Sequence, residues 1–156
     1  MVNAEARLLQ MGIELPDALL PQASYLPCVQ VGSLLFLSGQ GTMYHGERRY
    51  VGKVGEDITQ EEGYQAARIC GLNLLAQLKA YLGTLDRVKR IVRLNGFIAS
   101  APGFTGQSFV ANGASDLMEE VFGEAGRHSR TAIGTAVLPG NISVEAEMIA
   151  EIEVVK

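Results

Sequence analysis

Two segments of the chain carry apolar residues at helical spacing. The first follows Thr59 and Glu62, which stand three residues apart and can form a capping box, and it continues for about six turns until Gly83. Its apolar stripe consists of Ala67, Cys70, Leu74, Leu75, Leu78 and Leu82. The second segment covers residues 108–122 and ends before Gly123. Both patterns predict amphipathic helices that pack one face against a flat surface.

Period-two alternation predicts the strands. Residues 28–31 and 34–37 are short apolar runs joined by a Gly-Ser turn, which predicts a hairpin. Residues 131–137 alternate, and residues 142–154 keep a period of two over their whole length. Residues 88–98 are also strand-like. The two faces of that strand are Val92, Leu94 and Ile98 on one side and Ile91, Arg93, Asn95 and Phe97 on the other.

The N-terminal part has a different pattern. Asn3 before AEARLLQM predicts a short capped helix at the periphery. Three prolines within residues 16–27 predict an extended, irregular connection. We therefore divide the chain into residues 1–24, a helix with its connection, and residues 25–156, a single domain. Residues 43–57 are rich in glycine and charge, which predicts an exposed excursion.

The order of these elements is hairpin, helix, strand, helix, strand, strand. It predicts an α+β fold with one mixed sheet and both long helices on the same sheet face. The opposite face then carries Phe97 and Ile149 together with Arg93, Asn95 and Glu145. This mixture suits an interface between subunits, and a merely solvated face is the alternative.

Composition narrows the classes of function. The 156 residues, 47% of them hydrophobic, suffice for one domain, and the mean hydropathy of +0.15 favours burial of some apolar surface between subunits. The net charge of −4 provides no general attraction for nucleic acid. Cys28 and Cys70 stand far apart, without zinc or disulfide spacing. Because no segment has the character of a signal or membrane anchor, we expect a cytoplasmic protein.

Few residues point to chemistry by themselves. The last predicted strand carries a row of carboxylates on one face, Glu145, Glu147, Glu151 and Glu153. The carboxylates of such a row repel one another unless water solvates them or cations pair with them. Arg130 begins a strand of small apolar residues, so its guanidinium must reach solvent or line a cleft. His128, close to Arg130, is typical of a hydrogen-bonding surface residue, and no nucleophile or metal-binding motif is present.

Three segments of the chain are similar to the Rid family, also called YjgF and long labelled endoribonuclease L-PSP. They are YLPCVQVGSLLFLSGQ, EEGYQAARICGLNLLAQLKAYLGTLDRVKRIVRLNGFI and GRHSRTAIGTAVLPGNISVEAEMIAEIEV. The similarity runs from about Tyr25 to the C terminus, and an arginine followed by Leu-Pro and a strand containing V-E-x-E is its specific pattern. The resemblance implies a chorismate-mutase-like fold that assembles as a homotrimer, with a central barrel and three clefts between subunits.

The same resemblance implies an activity. Rid proteins hydrolyse reactive 2-imino acids to 2-keto acids and ammonia without a cofactor, and we predict no metal site. The family's carboxylate-binding arginine falls on Arg130, whose planar fork can form two charge-assisted hydrogen bonds with a substrate. The family's acidic residue falls on Glu145, which can position or deprotonate a water molecule for attack on the imine carbon. Arg130 and Glu145 are therefore the predicted catalytic residues.

Five further residues fall on the family's substrate-binding positions, namely Tyr25, Ser38, Gly39, Asn112 and Ala132. Tyr25, Ser38 and the backbone amide of Gly39 are expected to close the cleft around the substrate. Asn112 falls near the family's helix asparagine. Ala132 stands where several deaminating members have cysteine, and Tyr25 is followed by Leu-Pro-Cys instead of small polar residues. These two departures alter the pocket lining and therefore bear on the substrate.

The expected partners are a small 2-imino or 2-keto acid and further copies of the chain. The alternative to a deaminase is a trimer that binds small carboxylate metabolites without hydrolysing imines. A ribonuclease or translation inhibitor is less favoured, because the chain is acidic and offers no pair of histidines for acid–base catalysis.

Overall fold

The strands predicted from alternation form one mixed sheet. In the computed structural model, which describes residues 3–154, the sheet contains β1 (Cys28–Val31), β2 (Leu34–Gln40), β5 (Val88–Ala99), β6 (Ser129–Thr135) and β7 (Val144–Ile152). A separate hairpin in the predicted excursion consists of β3 (Met43–Tyr44) and β4 (Glu47–Arg48). The helices are α1 (Ala4–Met11), α2 (Gln60–Leu82) and α3 (Gln107–Phe122). Because α2 and α3 pack on one face of the sheet, the predicted α+β architecture is confirmed.

The strand order of the sheet is β1-β2-β7-β5-β6. Neighbouring strands are antiparallel except β5 and β6, which run parallel. A parallel pair needs a long crossover connection, and α3 lies in that connection. As a result, the last strand of the chain, β7, lies in the middle of the sheet, and β6 forms one edge.

β7 carries the clearest inward face of the sheet. Its buried residues are Val144, Ala146, Met148, Ala150 and Ile152, as the period of two predicts. They pack against the apolar stripe of α2, where the Cys70 thiol donates a hydrogen bond to the Val144 carbonyl at 3.4 Å. The core therefore lies between the central strands and the two long helices.

The caps of the helices agree with the sequence at α2 and differ at α1. The Glu62 amide donates to Thr59 Oγ1 at 3.1 Å, and the Thr59 amide donates to the Glu62 carboxylate at 2.8 Å, which confirms the capping box. The predicted Asn3 cap is wrong, because the Asn3 side chain forms no capping hydrogen bond. The backbone of Asn3, at φ −107° and ψ 60°, lies outside the extended region that turns a capping side chain toward the first amides.

Helix α1 belongs to the core, contrary to the peripheral position that we expected. Ala4 and Leu8 are buried in the main hydrophobic cluster. The Glu5 carboxylate accepts hydrogen bonds from Lys79 at 2.8 Å and from the Leu85 amide at 3.0 Å. These contacts hold α1 against the C-terminal end of α2. Within residues 3–154, no helix has the length and apolar character needed to cross a bilayer.

Strand β5 departs from the predicted alternation. Ile91 and Leu94 are both buried, whereas Val92, which we expected on the same face as Leu94, is half-buried. Between Ile91 and Arg93, β5 advances two residues while its partner β7 advances one. The extra residue is a β-bulge, and it exchanges the inward and outward positions on its two sides.

Several boundaries differ from the predicted ones. β6 begins at Ser129, two residues earlier than expected, because Ser129 already pairs with Arg93 of β5. It ends at Thr135, before the Leu-Pro turn, and β7 is shorter at both ends than residues 142–154. Residues 13–27 form no helix or strand, as their prolines predicted.

The sheet face opposite the helices is largely uncovered in a single chain. Val29, Phe36 and Ile133 are exposed there, although all three are large apolar residues. Arg93 and Glu147 lie on the same face. Phe97 and Ile149, the apolar residues that we expected on this face, are half-buried, so Val29, Phe36 and Ile133 make up its exposed apolar surface.

Candidate functional site

Arg130 lies on the edge strand β6 and faces α3. Its position pairs with the buried Leu94, which places the side chain on the helix side of the sheet. Nη1 donates hydrogen bonds to Asn112 Oδ1 at 2.8 Å and to Ser115 Oγ at 3.1 Å, and Nη2 donates to the Ser108 carbonyl at 3.2 Å. Three points on one helix thus fix the guanidinium group.

Two N–H groups of Arg130 remain for a ligand. A guanidinium group has five N–H donors, and three are used in the contacts with α3. The donors without a partner in residues 3–154 are Nε–H and the second N–H of Nη2. Since Nε and Nη2 are neighbouring nitrogens, they match the two oxygens of a carboxylate. Arg130 is therefore bound to α3 through Nη1 and Nη2, and Nε together with the remaining N–H of Nη2 is available to a carboxylate.

Glu145 lies on β7 and points to the sheet face away from the helices. Its neighbours Val144 and Ala146 face the core, so the strand alternation turns Glu145 outward. A Cβ atom on Gly39 of β2 would lie within 3.1 Å of the Glu145 carboxyl carbon, so the carboxylate passes directly over that glycine. A side chain at position 39 would have to displace this carboxylate, and glycine avoids that clash. Partial burial, and secondarily the charge of Glu147, raise the pKa of Glu145.

Ser38 connects β2 to the segment that contains Tyr25. The Ser38 hydroxyl donates a hydrogen bond to the Leu26 carbonyl at 2.7 Å, and the Ser38 amide donates to the Pro27 carbonyl at 2.9 Å. Tyr25 is 50% exposed at the start of this segment. The serine thus holds the Tyr25 segment beside the strand that carries Gly39.

The structure brings the seven predicted residues together in two groups. Asn112 contacts Arg130 directly, and Ala132 follows on the same face of β6. Glu145, Gly39, Ser38 and Tyr25 form the second group, around β2 and β7. We call these the arginine group and the glutamate group. The two groups lie on opposite faces of the sheet within one chain, with β5 between their strands.

Of the three α3 residues that hold Arg130, the sequence singled out Asn112 but not Ser115 or Ser108, and Ser108 contributes only its backbone carbonyl. Ser108, Asn112 and Ser115 stand at positions i, i+4 and i+7 of α3 and therefore share one side of the helix. This polar line along a largely apolar helix is a signal that the sequence contains. His128 was noted only as a surface residue, yet its Nε2 lies 2.9 Å from Ser115 Oγ.

Comparisons with known proteins agree with this fold. A family model described as "YjgF/chorismate_mutase-like, putative endoribonuclease" matches residues 5–152. The chain belongs to the YjgF family. Protein TCP17 of Trypanosoma cruzi is 47% identical over 148 residues, which are 94% of this chain and 92% of that protein.

Two solved structures extend the comparison. Atu1372 of Agrobacterium tumefaciens, a protein of unknown function, is 46% identical, with a TM-score of 0.90 over 96% of this chain and 92% of the other. A Shewanella oneidensis protein described as a "putative endoribonuclease" is 41% identical, with a TM-score of 0.93 over 96% of this chain and 99% of the other. Helix α1 lies almost entirely within the region that the YjgF-family model matches.

Two carboxylates of the row in this YjgF-family chain have side-chain partners. The Asn95 side-chain amide donates to Glu147 at 2.9 Å, and Lys89 and Arg90 both form ion pairs with Glu151. Among the three members of the row that belong to β7, Glu145 alone has no hydrogen-bond or ion-pair partner in residues 3–154. The side chain that the resemblance singled out is thus the carboxylate that β7 leaves unpaired.

Cysteines and metal ligands add nothing to the site. Cys28 and Cys70 are both buried as free thiols, and burial raises the pKa of each. Across the described part of the chain, His, Cys, Asp and Glu form no cluster of three or more with a geometry suited to a metal ion.

Proposed function

We propose that this YjgF-family chain hydrolyses 2-imino acids to 2-keto acids and ammonia. The observation that supports this most directly is the hydrogen bonding of Arg130. Three hydrogen bonds fix its guanidinium group to α3 and leave Nε and one N–H of Nη2 for a carboxylate. A 2-imino acid presents its carboxylate next to the reactive carbon. Binding that carboxylate therefore also positions the imine.

Glu145 acts as the general base in this proposal. It takes a proton from water while the water oxygen bonds to the carbon of the protonated imine, and the C=N electron pair moves to nitrogen. The resulting tetrahedral intermediate carries a hydroxyl and an amino group. The proton on Glu145 then passes to the amino nitrogen, and the C–N bond breaks so that neutral ammonia leaves. As the ketone forms, the hydroxyl proton passes to the Glu145 carboxylate and from there to ammonia, which regenerates the base. The products are the 2-keto acid and an ammonium ion.

The raised pKa of Glu145 suits this role. A base is more effective when its pKa approaches the working pH, provided that it remains ionised. Partial burial and the nearby Glu147 both act in that direction. Within residues 3–154, the carboxylate also has no ion pair of the kind that occupies Glu151, so no basic side chain in this range competes for it.

We further propose that the site is shared between two copies of the chain in a homotrimer. The arginine group and the glutamate group lie on opposite sheet faces of one copy, so a neighbour has to supply one of them. The exposed Val29, Phe36 and Ile133 provide apolar surface for such an assembly. A closed ring of three copies gives three equivalent sites.

The test is ammonia release from freshly generated 2-iminopropanoate and 2-iminobutanoate. We expect the wild type to exceed the uncatalysed rate and Arg130→Ala to lose at least about 100-fold in kcat/KM, because the carboxylate contact is lost. Arg49→Ala is the matched control, since Arg49 is an exposed arginine that pairs with Glu47 beside the β3–β4 hairpin. Full activity in a folded Arg130→Ala protein would contradict the proposal.

Binding measurements separate the alternative function. If the wild type binds 2-oxobutanoate by calorimetry but does not accelerate imine hydrolysis, the protein is a carboxylate-metabolite binder instead of a deaminase. Loss of that binding in Arg130→Ala would still assign the ligand contact to Arg130.

A further inference from the structure

His128 lies behind the guanidinium of Arg130 and connects to it through one hydroxyl group. His128 Nε2 is 2.9 Å from Ser115 Oγ, and Arg130 Nη1 donates to the same oxygen at 3.1 Å. On its other side, His128 Nδ1 lies 2.6 Å from the Gly126 carbonyl oxygen. Gly126, His128, Ser115 and Arg130 thus form a continuous chain of hydrogen bonds.

The chemistry of the two ends fixes the proton positions in this chain. A carbonyl oxygen only accepts hydrogen bonds, so Nδ1 of His128 carries the proton that Gly126 receives. Arginine only donates, so Ser115 Oγ accepts from Arg130, and the proton of the hydroxyl is free to point toward His128. With its proton on Nδ1, the neutral imidazole leaves Nε2 as the acceptor for that hydroxyl proton. Ser115 therefore donates to His128 only when the imidazole is uncharged.

We propose that His128 is a positioning residue that, through Ser115, sets the orientation of Arg130 and makes carboxylate binding dependent on the protonation of the imidazole. The inference rests on the proposed function in one respect, the assignment of Arg130 as the ligand for the substrate carboxylate. With neutral His128, Ser115 presents a lone pair to Nη1, and the free pair of donors on Nε and Nη2 keeps its direction.

Protonation of His128 changes this arrangement. Nε2 then donates instead of accepting, so the histidine and Arg130 direct two positive charges at one hydroxyl oxygen. The Ser115 proton loses its acceptor on the histidine and has to turn elsewhere. Both changes weaken the hold on Arg130, and we expect a weaker grip on the substrate carboxylate.

The charges around His128 favour the neutral form. Burial lowers its pKa, and the charge of Arg130 acts in the same direction, while the Gly126 carbonyl and Glu119 of α3 oppose them. Arg127 forms ion pairs with Glu119 and with Glu124 of the preceding turn, so part of the opposing negative charge is compensated. The pKa of His128 therefore lies below its ordinary value. The imidazole is then neutral at neutral pH, and Ser115 can donate to Nε2.

Calorimetric binding of 2-oxobutanoate from pH 5 to pH 8 tests the inference. The background is Glu145→Gln, which removes the titration of the predicted base, and the keto acid stays ionised over this range. With His128 present, we expect the dissociation constant to rise by about fivefold to tenfold on acidification, because one charge-assisted contact is weakened.

Three variants distinguish positioning from a general structural role. His128→Gln offers a non-titrating amide acceptor toward Ser115. We expect this variant to keep the affinity measured at pH 8 and to lose the rise of the dissociation constant at low pH. His128→Asn, with a shorter side chain, and Ser115→Ala should both bind about tenfold more weakly at all pH values, with kcat for imine hydrolysis in the wild-type background changed less than KM. Thermal unfolding confirms that each variant is folded.

The outcomes separate this inference from the proposed function. If binding by folded His128→Gln still weakens at low pH as in the protein with His128, the role of His128 is overturned. Binding that is unaffected by Ser115→Ala overturns it as well. Wild-type protein that binds the keto acid with this pH dependence but does not hydrolyse imines overturns the deaminase proposal alone. Absence of 2-oxobutanoate binding overturns the inference about His128, and absence of imine hydrolysis as well overturns both.

Discussion

Arg130 and Glu145 point to opposite faces of the same sheet. Arg130 lies on the edge strand and is bound to α3, whereas Glu145 lies on the central strand β7 and passes over Gly39. Their separation by the sheet itself is the reason to expect a site assembled from two copies. It also leads to a test that uses two inactive proteins.

Mixed assemblies of Arg130→Ala and Glu145→Gln chains should regain activity. A shared site is intact where the arginine comes from a Glu145→Gln copy and the glutamate from an Arg130→Ala copy, which random mixing yields for about one quarter of the sites. Ammonia release after co-refolding of the two variants measures this. The two variants assayed separately are the controls, and a mixture no more active than either would exclude a site shared between copies.

Glu145→Gln should stabilise the protein near neutral pH while it abolishes hydrolysis. A carboxyl group with a raised pKa contributes stability below its ordinary pKa, and that contribution is lost as the pH rises through the folded value. The difference in thermal midpoint between Glu145→Gln and wild type should therefore grow from pH 4 toward pH 7. Glu151→Gln, which removes a carboxylate whose pKa is lowered by Lys89 and Arg90, should show the opposite trend.

Gly39→Ala should reduce activity more than stability. The added Cβ displaces the Glu145 carboxylate, which is the mobile end of a side chain, and we expect kcat/KM to fall at least about tenfold with the fold retained. A double-mutant cycle with Glu145→Ala checks the cause, since the clash is absent in that background. Equal destabilisation by Gly39→Ala in both backgrounds would mean that the backbone, not the carboxylate, is responsible.

Thr59→Ala should lower the free energy of unfolding by about 1 kcal/mol, because the Glu62 amide loses Thr59 Oγ1 as its acceptor, while the backbone amide of residue 59 can still donate to the Glu62 carboxylate. Asn3→Ala is the matched control at the other helix, where the side chain forms no capping bond, and we expect no measurable change. Urea unfolding of the two variants provides the comparison. A similar loss in both would show that residue type rather than cap geometry determines the effect.

Phe36→Asp should prevent assembly without unfolding the chain. Phe36 is 41% exposed on the open sheet face, outside the core, so its replacement mainly affects a surface that we expect a neighbouring copy to cover. Leu9→Asp is the control, since Leu9 is an equally apolar, 83% exposed residue on α1. Sedimentation of both variants should show smaller particles for Phe36→Asp only.

Local sequence patterns were sufficient to predict an element wherever it depended on contacts between residues close in the chain. The inward face of β7 follows from uninterrupted alternation, and the start of α2 follows from Thr59 and Glu62, because both depend on contacts within a few residues. The α+β architecture follows from the order of those elements. Two positions resisted this reasoning. The bulge after Ile91 depends on pairing with β7, and the unused cap at Asn3 depends on where α1 meets the core.

The sequence by itself determined the secondary-structure elements and singled out Arg130, Asn112 and Glu145 as candidates for the chemistry, from local patterns and a family resemblance. Only the tertiary structure decided how they are arranged. It placed Arg130 beside Ser115 of α3, which in turn contacts His128, the residue just before β6. It also placed Glu145 on the other side of the sheet. The physical reason is that strand alternation fixes the face of each residue, whereas the partners on that face come from elements that are distant in the chain.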